Sequence, residues 1–286
     1  MKNIMNGKKF ANLADMQISK EEHYYFEFGN DTNSKWYDID KTNFLSFDNP
    51  SVVYVNSSLL SPKPKLKSSL LITKLSYFKN PFTLILHNSD GNFEEFESRV
   101  LELENVTHVY SQNLNFKHDK VSPLPIGIAN PIWDWGSEDL VNEAISIDID
   151  KDNLIYSNFK IDGGLRPIDR QPCKDWMDSN GLKMNEEKSF RDYLLDLKSH
   201  KYSLCPQGNG YDTHRFWESL YMKTIPIVKR TVMTEFWENF FPIILINDWN
   251  DIDLLKLKEN YEDLNKWDNY DLLDFNNYIK NFITIK

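Results

Sequence analysis

Long apolar runs are missing from this sequence. No stretch approaches the length of a membrane span, and the opening M-K-N-I-M-N-G-K-K-F has no apolar signal region. The expectation is a cytoplasmic chain without a membrane span. Cysteine is scarce too. Cys173 and Cys205 form neither a metal-type spacing nor a disulfide framework, which fits a reducing compartment. Basic residues fall short of acidic ones, 33 against 43, for a net charge of −10. Nucleic-acid binding needs basic surface to displace counterions, so no nucleic-acid partner is expected. There is no internal repeat and no low-complexity segment beyond a modest Asn/Asp/Lys bias. The phosphate-loop pattern G-x-x-x-x-G-K-[ST] and the dinucleotide pattern G-x-G-x-x-G are both absent; Gly208 and Gly210 supply only G-x-G.

What the chain does have is enough apolar content, 41%, for real cores, and a length of 286 residues that suits two domains. Aromatics make up 14%, with eight tryptophans and fourteen tyrosines. Such rings serve as stacking platforms for sugars, and they also fill cores.

The most informative stretch runs from Tyr202 to Lys229. Tyr202–Cys205 is a short apolar run, long enough for a buried strand. Pro206-Gln207-Gly208-Asn209-Gly210 follows as a loop of turn formers. Asp212 or Thr213 can cap a helix that runs to about Met222, and Ile225-Pro226-Ile227-Val228 reads as the next strand. Strand, glycine loop, helix and strand make a unit of a parallel α/β sheet. Ligands of such sheets bind beyond the carboxyl ends of the strands, where this loop sits.

The helix has two faces. Phe216, Trp217, Leu220 and Tyr221 suit burial, while His214, Arg215 and Glu218 share another side. Arg215 falls in the first turn, where the helix dipole disfavours a cation and a bound anion removes the conflict. Helix-start N–H groups, the glycine loop and Arg215 together describe a diphosphate site. Glu218, a turn further in, is placed to accept from ribose hydroxyls. The plain alternative for Arg215 and Glu218 is a surface ion pair at i, i+3.

The run C-P-Q-G-N-G-Y-D-T-H-R-F-W-E-S-L, followed by I-P-I-V, resembles the donor-binding region of exostosin-like glycosyltransferases. The likeness covers about thirty residues. It extends more loosely to His87–Asp90 and Pro125–Asn130, and the first eighty residues match no family. It implies a GT-B fold, α/β, with two Rossmann-like domains facing a cleft. It implies transfer of a sugar from a nucleotide donor, of the UDP class, to a glycan hydroxyl, with inversion. Arg215 would then bind the diphosphate and Glu218 the ribose, with Gly208, Asn209, Gly210, Asp212 and His214 around the donor. No cofactor beyond the nucleotide-sugar substrate is expected, and no metal.

Along the chain, Tyr24–Phe28 and Val52–Val55 read as short β runs. D-x-D patterns at Asp38–Asp40, Asp148–Asp150 and Asp251–Asp253 are as frequent as chance allows in a chain this acidic. Ser61–Lys67 is a basic proline loop. Phe82–Leu86 is the clearest strand of the first half and runs into His87-Asn88-Ser89-Asp90-Gly91. Glu94–Glu104 reads as an amphipathic helix, and Val121–Ile128 as an irregular or edge strand. The domain boundary is expected in the acidic stretch 137–152, giving an acceptor-side domain over 1–145 and a nucleotide-sugar domain over 146–286. The GT-B resemblance implies a final helix that crosses back to the first domain. Leu154–Phe159 opens the second domain as a strand, and the loop after it carries Arg166 and Arg170, each placed to reach a phosphate or simply to be solvated.

Inverting transfer also needs a base for the acceptor hydroxyl. Asp90, past a strand of the first domain, is the first choice. His87 on the same loop is the second, and Asp134, between Trp133 and Trp135, the third. A protein that binds nucleotides or glycans without catalysis would keep the Arg215–Glu218 site and lack such a base.

Overall fold

The computed structural model describes all residues except 30–34, 47–49, 61–64, 92, 94, 163–168 and 285–286. The chain divides into two compact units. The first holds Met5–Ile126, Asn130–Ile132 and Ile283–Lys286; the second holds Met1–Ile4, Gly127–Ala129 and Trp133–Phe282.

The first unit is built on a six-stranded, wholly parallel sheet in the order β2-β1-β3-β4-β5-β6. Its elements in chain order are α1 (Gly7–Asn12), β1 (Met16–Ser19), α2 (Glu21–Phe28), β2 (Trp36–Asp38), β3 (Val52–Asn56), α3 (Lys65–Leu75), β4 (Phe82–His87), β5 (Val106–Ser111) and β6 (Val121–Pro123). β3 and β4 are buried at every position, as the near-continuous apolar runs V-V-Y-V-N and F-T-L-I-L-H require of central parallel strands. β6 lies at the sheet edge, where Pro123 costs no ladder bond.

Tyr24–Phe28 is helix rather than strand. The aromatic run has β-type composition, but Glu21 and Glu22 favour a helix start in the first turn. Tyr24 and Phe28, four residues apart, then stack edge to face at 5.1 Å on the buried side. Gly29, at φ 66°, ends the helix. The stretch Glu95–Glu102 winds as a 3₁₀ helix, shorter than the α-helix expected over Glu94–Glu104. Of the expected basic loop, 61–64 lie outside the described residues, and Lys65 already starts α3.

The second unit carries a four-stranded parallel sheet, β10-β9-β8-β7. Its elements are α4 (Glu138–Ser146), β7 (Asn153–Tyr156), α5 (Arg170–Ser179), α6 (Phe190–Lys198), β8 (His200–Leu204), α7 (His214–Tyr221), β9 (Ile225–Lys229), α8 (Val232–Glu238), β10 (Ile244–Ile246), α9 (Leu254–Glu259), α10 (Tyr261–Leu264) and α11 (Phe275–Phe282). Tyr202, Leu204, Ile225 and Ile227 pack with Trp176, Met177 and Trp249 in its core. The acidic stretch 137–152 is not a bare linker: Ser137 caps α4 by accepting from Leu140 N.

Two lysines tie helix ends together. Lys198 Nζ donates to the carbonyls of Ala144, Ile145 and Ile147 at the end of α4. Lys151 Nζ donates to Lys198 O, His200 O, Met222 O and Thr224 Oγ1, closing the ends of α6 and α7. Cations are favoured at helix carboxyl ends, where orphan carbonyls collect. Helix α11 belongs to the second unit, its start held by Phe275 N donating to Asn3 O at 2.7 Å. Past it, Thr284 N donates to Tyr110 Oη of the first unit, to which both belong. No helix among the described residues is long and apolar enough to cross a membrane.

Candidate functional site

In the second unit the chemistry collects past the carboxyl ends of β7 and β8. The glycine loop is pinned by Asp169, which precedes α5. Its Oδ2 accepts from Gln207 N at 2.7 Å, and its Oδ1 accepts from Trp249 Nε1 at 2.9 Å. Arg170, the next residue, lays its guanidinium along the loop. Nε donates to Gln207 O at 3.1 Å and Nη1 to Lys160 O at 2.8 Å. Gly208 makes room for this: a Cβ there would stand 2.5 Å from Arg170 Nη2.

Thr213, not Asp212, caps α7, its side chain accepting from Phe216 N. Asp212 is 0% exposed, and its Oδ2 accepts from Trp217 Nε1 at 2.7 Å. It braces the loop from inside, which corrects the expectation that it faces a ligand. His214 Nδ1 lies 2.8 Å from Gly127 O, tying the start of α7 to 127–129. Asn209 is exposed at the tip of the loop and Gly210 is buried. Arg166 lies outside the described residues.

Arg215 sits in the first turn of α7, half-buried. Among the described residues its buried Nε has no hydrogen-bond partner and no carboxylate forms an ion pair with it. It is close enough to Arg170 to help burial hold that guanidinium below its ordinary pKa. Two cations therefore converge at the glycine loop. Glu218, one turn on, is 4% exposed and accepts from Tyr193 Oη at 2.6 Å through Oε2. Burial pushes its carboxyl pKa up, against the Tyr193 hydrogen bond and the nearby positive charge of α7. The surface ion-pair alternative does not describe these residues: Glu218 is buried and is engaged with a tyrosine. Sequence reading missed Tyr193 and Asp169. Tyr193 looks like any aromatic on an amphipathic helix, and Asp169 is separated from the loop it holds by two helices and a strand.

In the first unit the polar residues collect past β3, β4 and β5. His87 is 1% exposed and stacks on Phe10 at 5.4 Å. Its Nε2 lies 2.9 Å from Pro125 O, an acceptor only, so Nε2 carries the proton and donates. Its Nδ1 accepts from Asn88 N at 2.8 Å. With both ring nitrogens engaged and the ring buried, His87 supports the loop and is no base for a substrate, a correction to its candidacy. Gln112 and Asn113 hold the same loop: Asn88 N donates to Gln112 Oε1, and Asn113 Nδ2 donates to Ser89 O. Asp90, at the end of this braced loop, is exposed. Asp134 is exposed as well, between Trp133 and Trp135, whose rings stack at 5.5 Å and 15°.

Three of the six D-x-D carboxylates serve the backbone, Asp251 among them by accepting from Asn247 N and Asp248 N. Asp38 accepts from the N–H groups of Glu21, Asp40 and Lys41, and Asp253 caps α9. Among the described residues no group of three or more His, Cys, Asp or Glu is arranged to hold a metal ion.

No family model and no curated protein matches the chain. Among solved structures the chain is similar to an alpha,alpha-trehalose-phosphate synthase (UDP-forming) from Burkholderia vietnamiensis. The TM-score is 0.42 and the identity 9%, over 82% of this chain and 72% of that one.

Proposed function

We propose that the chain is a glycosyltransferase of GT-B, exostosin-like type. It moves a sugar from a nucleoside-diphosphate donor, of the UDP class, to a glycan hydroxyl with inversion at the anomeric carbon. The observation that carries the reading is Arg215, a guanidinium unpaired among the described residues, in the first turn of a helix, next to a glycine loop and one turn from a buried carboxylate. A cation there opposes the helix dipole by roughly 0.3–1 kcal/mol, and its buried Nε goes unmatched. A diphosphate answers both. It also meets the first-turn N–H groups of α7 and the neighbouring Arg170. Glu218 keeps one oxygen on Tyr193 and offers the other to a ribose hydroxyl.

In the reaction the diphosphate leaves with negative charge, which Arg215 and Arg170 stabilise as it develops. The decisive experiment is calorimetric titration of UDP and GDP into the protein and into Arg215→Ala. A charge-assisted contact of roughly 1.5–3 kcal/mol predicts a tenfold to hundredfold loss of affinity. Equal affinities in a folded variant would refute the reading. Binding without turnover of any UDP- or GDP-sugar would leave a binding protein rather than an enzyme.

A further inference from the structure

Tryptophan carries a large apolar surface, and folding turns most of it inward. Of the eight tryptophans here, four are buried and three half-buried; Trp135 alone is exposed, at 49%. Its ring is nevertheless held in place. It lies on that of Trp133, with centroids 5.5 Å apart and planes 15° from parallel. The turn that carries the pair is closed by Gly136 N, which donates to Trp133 O at 2.8 Å. Ser137 follows as the cap of α4, and Val141 and Ala144 of that helix are fully buried. The pair thus stands on a fixed support within the second unit. With one face of Trp135 against Trp133, its exposed surface is the other face and the edge.

The charges around the pair are of one sign. Asp134 is exposed between the two tryptophans, and Glu138 and Asp139 lie in the first turn of α4. Between Lys120 and Lys151 the sequence has six carboxylates and no Lys, Arg or His. Arg191, which reaches α4 from α6, is paired with Glu143. An anionic ligand such as a nucleotide or an acidic sugar would meet these carboxylates unfavourably. A plain hydrocarbon would leave Asp134 unused. A neutral pyranose answers both features. Its C–H face packs on the indole, and its neighbouring hydroxyls donate to the Asp134 carboxylate. Because the Trp133 ring already orders Trp135, little side-chain freedom is lost on binding.

We propose that Trp133, Asp134 and Trp135 form a binding subsite for a neutral pyranose of a glycan chain. Trp135 is its stacking surface and Asp134 its hydroxyl acceptor. Only in taking that glycan to be the acceptor chain does the inference rest on the glycosyltransferase reading; the subsite itself requires no nucleotide. Asp134 is then a binding group and not a base.

The test is saturation-transfer NMR of cellotetraose, maltotetraose, chitotetraose and mannotetraose with the full chain, nucleotide-free, in wild type, Trp135→Ala, Trp135→Phe and Asp134→Asn. At least one of these glycans should bind wild type and shield its tryptophan emission from acrylamide, since Trp135 is the ring most open to the quencher. Trp135→Ala should weaken that binding on the order of tenfold or more, and Trp135→Phe should recover part of the loss by returning a ring face. Asp134→Asn should weaken it roughly threefold to tenfold. Trigalacturonate should not bind. Melting temperatures and UDP affinity should stay at wild-type values in all three variants, which separates a lost subsite from a damaged fold. No binding of any of the four glycans at millimolar concentration, or equal binding in Trp135→Ala, would overturn the proposal. So would preference for a decaproline peptide, unaffected by Asp134→Asn, which would assign the rings to a protein partner. Failure here with UDP binding intact leaves the donor site standing. Trp135-dependent glycan binding in a protein that ignores UDP would sink the donor-site reading and keep the subsite.

Discussion

Tyr193 donates its hydroxyl to Glu218 Oε2 across 2.6 Å, from helix α6 to helix α7, with Glu218 buried and Tyr193 half-buried. The bond fixes which oxygen of Glu218 remains for a ligand. It also opposes the upward push that burial exerts on the carboxyl, and so favours the charged form. Tyr193→Phe removes that support and keeps the ring packing against Tyr156 and Phe190. The expected outcome is a roughly threefold to tenfold weaker affinity for UDP, up to about 1.4 kcal/mol. Inorganic pyrophosphate, which has no ribose, should bind as before. Equal losses for UDP and pyrophosphate would place Glu218 against the phosphates instead.

Gly208 and Arg170 make a second testable pair. A methyl group at position 208 would lie 2.5 Å from Arg170 Nη2, so Gly208→Ala must shift the guanidinium that donates to Gln207 O and Lys160 O. The single variant should weaken UDP and pyrophosphate alike, several-fold. In an Arg170→Ala background the same change should have little effect, since nothing remains to displace. Residues in contact are expected to show such non-additivity, on the order of 0.5–3 kcal/mol. Additive losses would mean that the loop responds to the methyl directly.

Much of this site was legible in the chain. The strand, glycine loop, helix and strand between 202 and 229 follow from local turn and cap chemistry, and the structure has each of them. The position of Arg215 in the first turn follows from the same reasoning. Legibility failed where contacts are long-range or where composition competes with register. Tyr24–Phe28 carries strand-type aromatics, yet the acidic pair before it and the i, i+4 ring contact make a helix. Asp212 reads as a loop ligand until Trp217, five residues on, is seen to claim it.

Lys151 bears on stability rather than chemistry. Its Nζ, which burial and the charges of Lys198 and Lys223 pull down to a pKa of about 7, serves Lys198 O, His200 O, Met222 O and Thr224 Oγ1, acceptors drawn from the ends of two helices and the turns after them. Lys151→Met keeps the stem and strips the donors, which strands buried acceptors. The expected cost is about 2–4 kcal/mol, read as a lower urea midpoint with an unchanged slope. UDP affinity at 25 °C should be untouched, because Lys151 bonds the helix ends opposite the start of α7. A variant as stable as wild type would show that water replaces the ammonium freely.

Glu27, in the last turn of α2, accepts from Asn130 Nδ2 at 2.9 Å and offers a stability readout that needs no substrate. Its carboxyl titrates at about 7 in the folded chain against an ordinary value of 4.5. Between those values the folded state holds a proton that the unfolded state has released. Folding stability from this group is therefore greatest below pH 4.5, falls as pH rises toward 7, and is flat above it. The penalty at high pH is about 1–3 kcal/mol, reduced from the full shift because the side chain is partly open to solvent. Glu27→Gln removes the penalty and keeps an amide oxygen for Asn130. The melting temperature of the variant should match wild type near pH 4.5, exceed it increasingly up to about pH 7, and keep a constant margin above that. Taking the difference between the two proteins cancels the other carboxylates, which titrate in both. A constant offset across that range would mean that Glu27 ionises normally, and that burial does not oppose its charge.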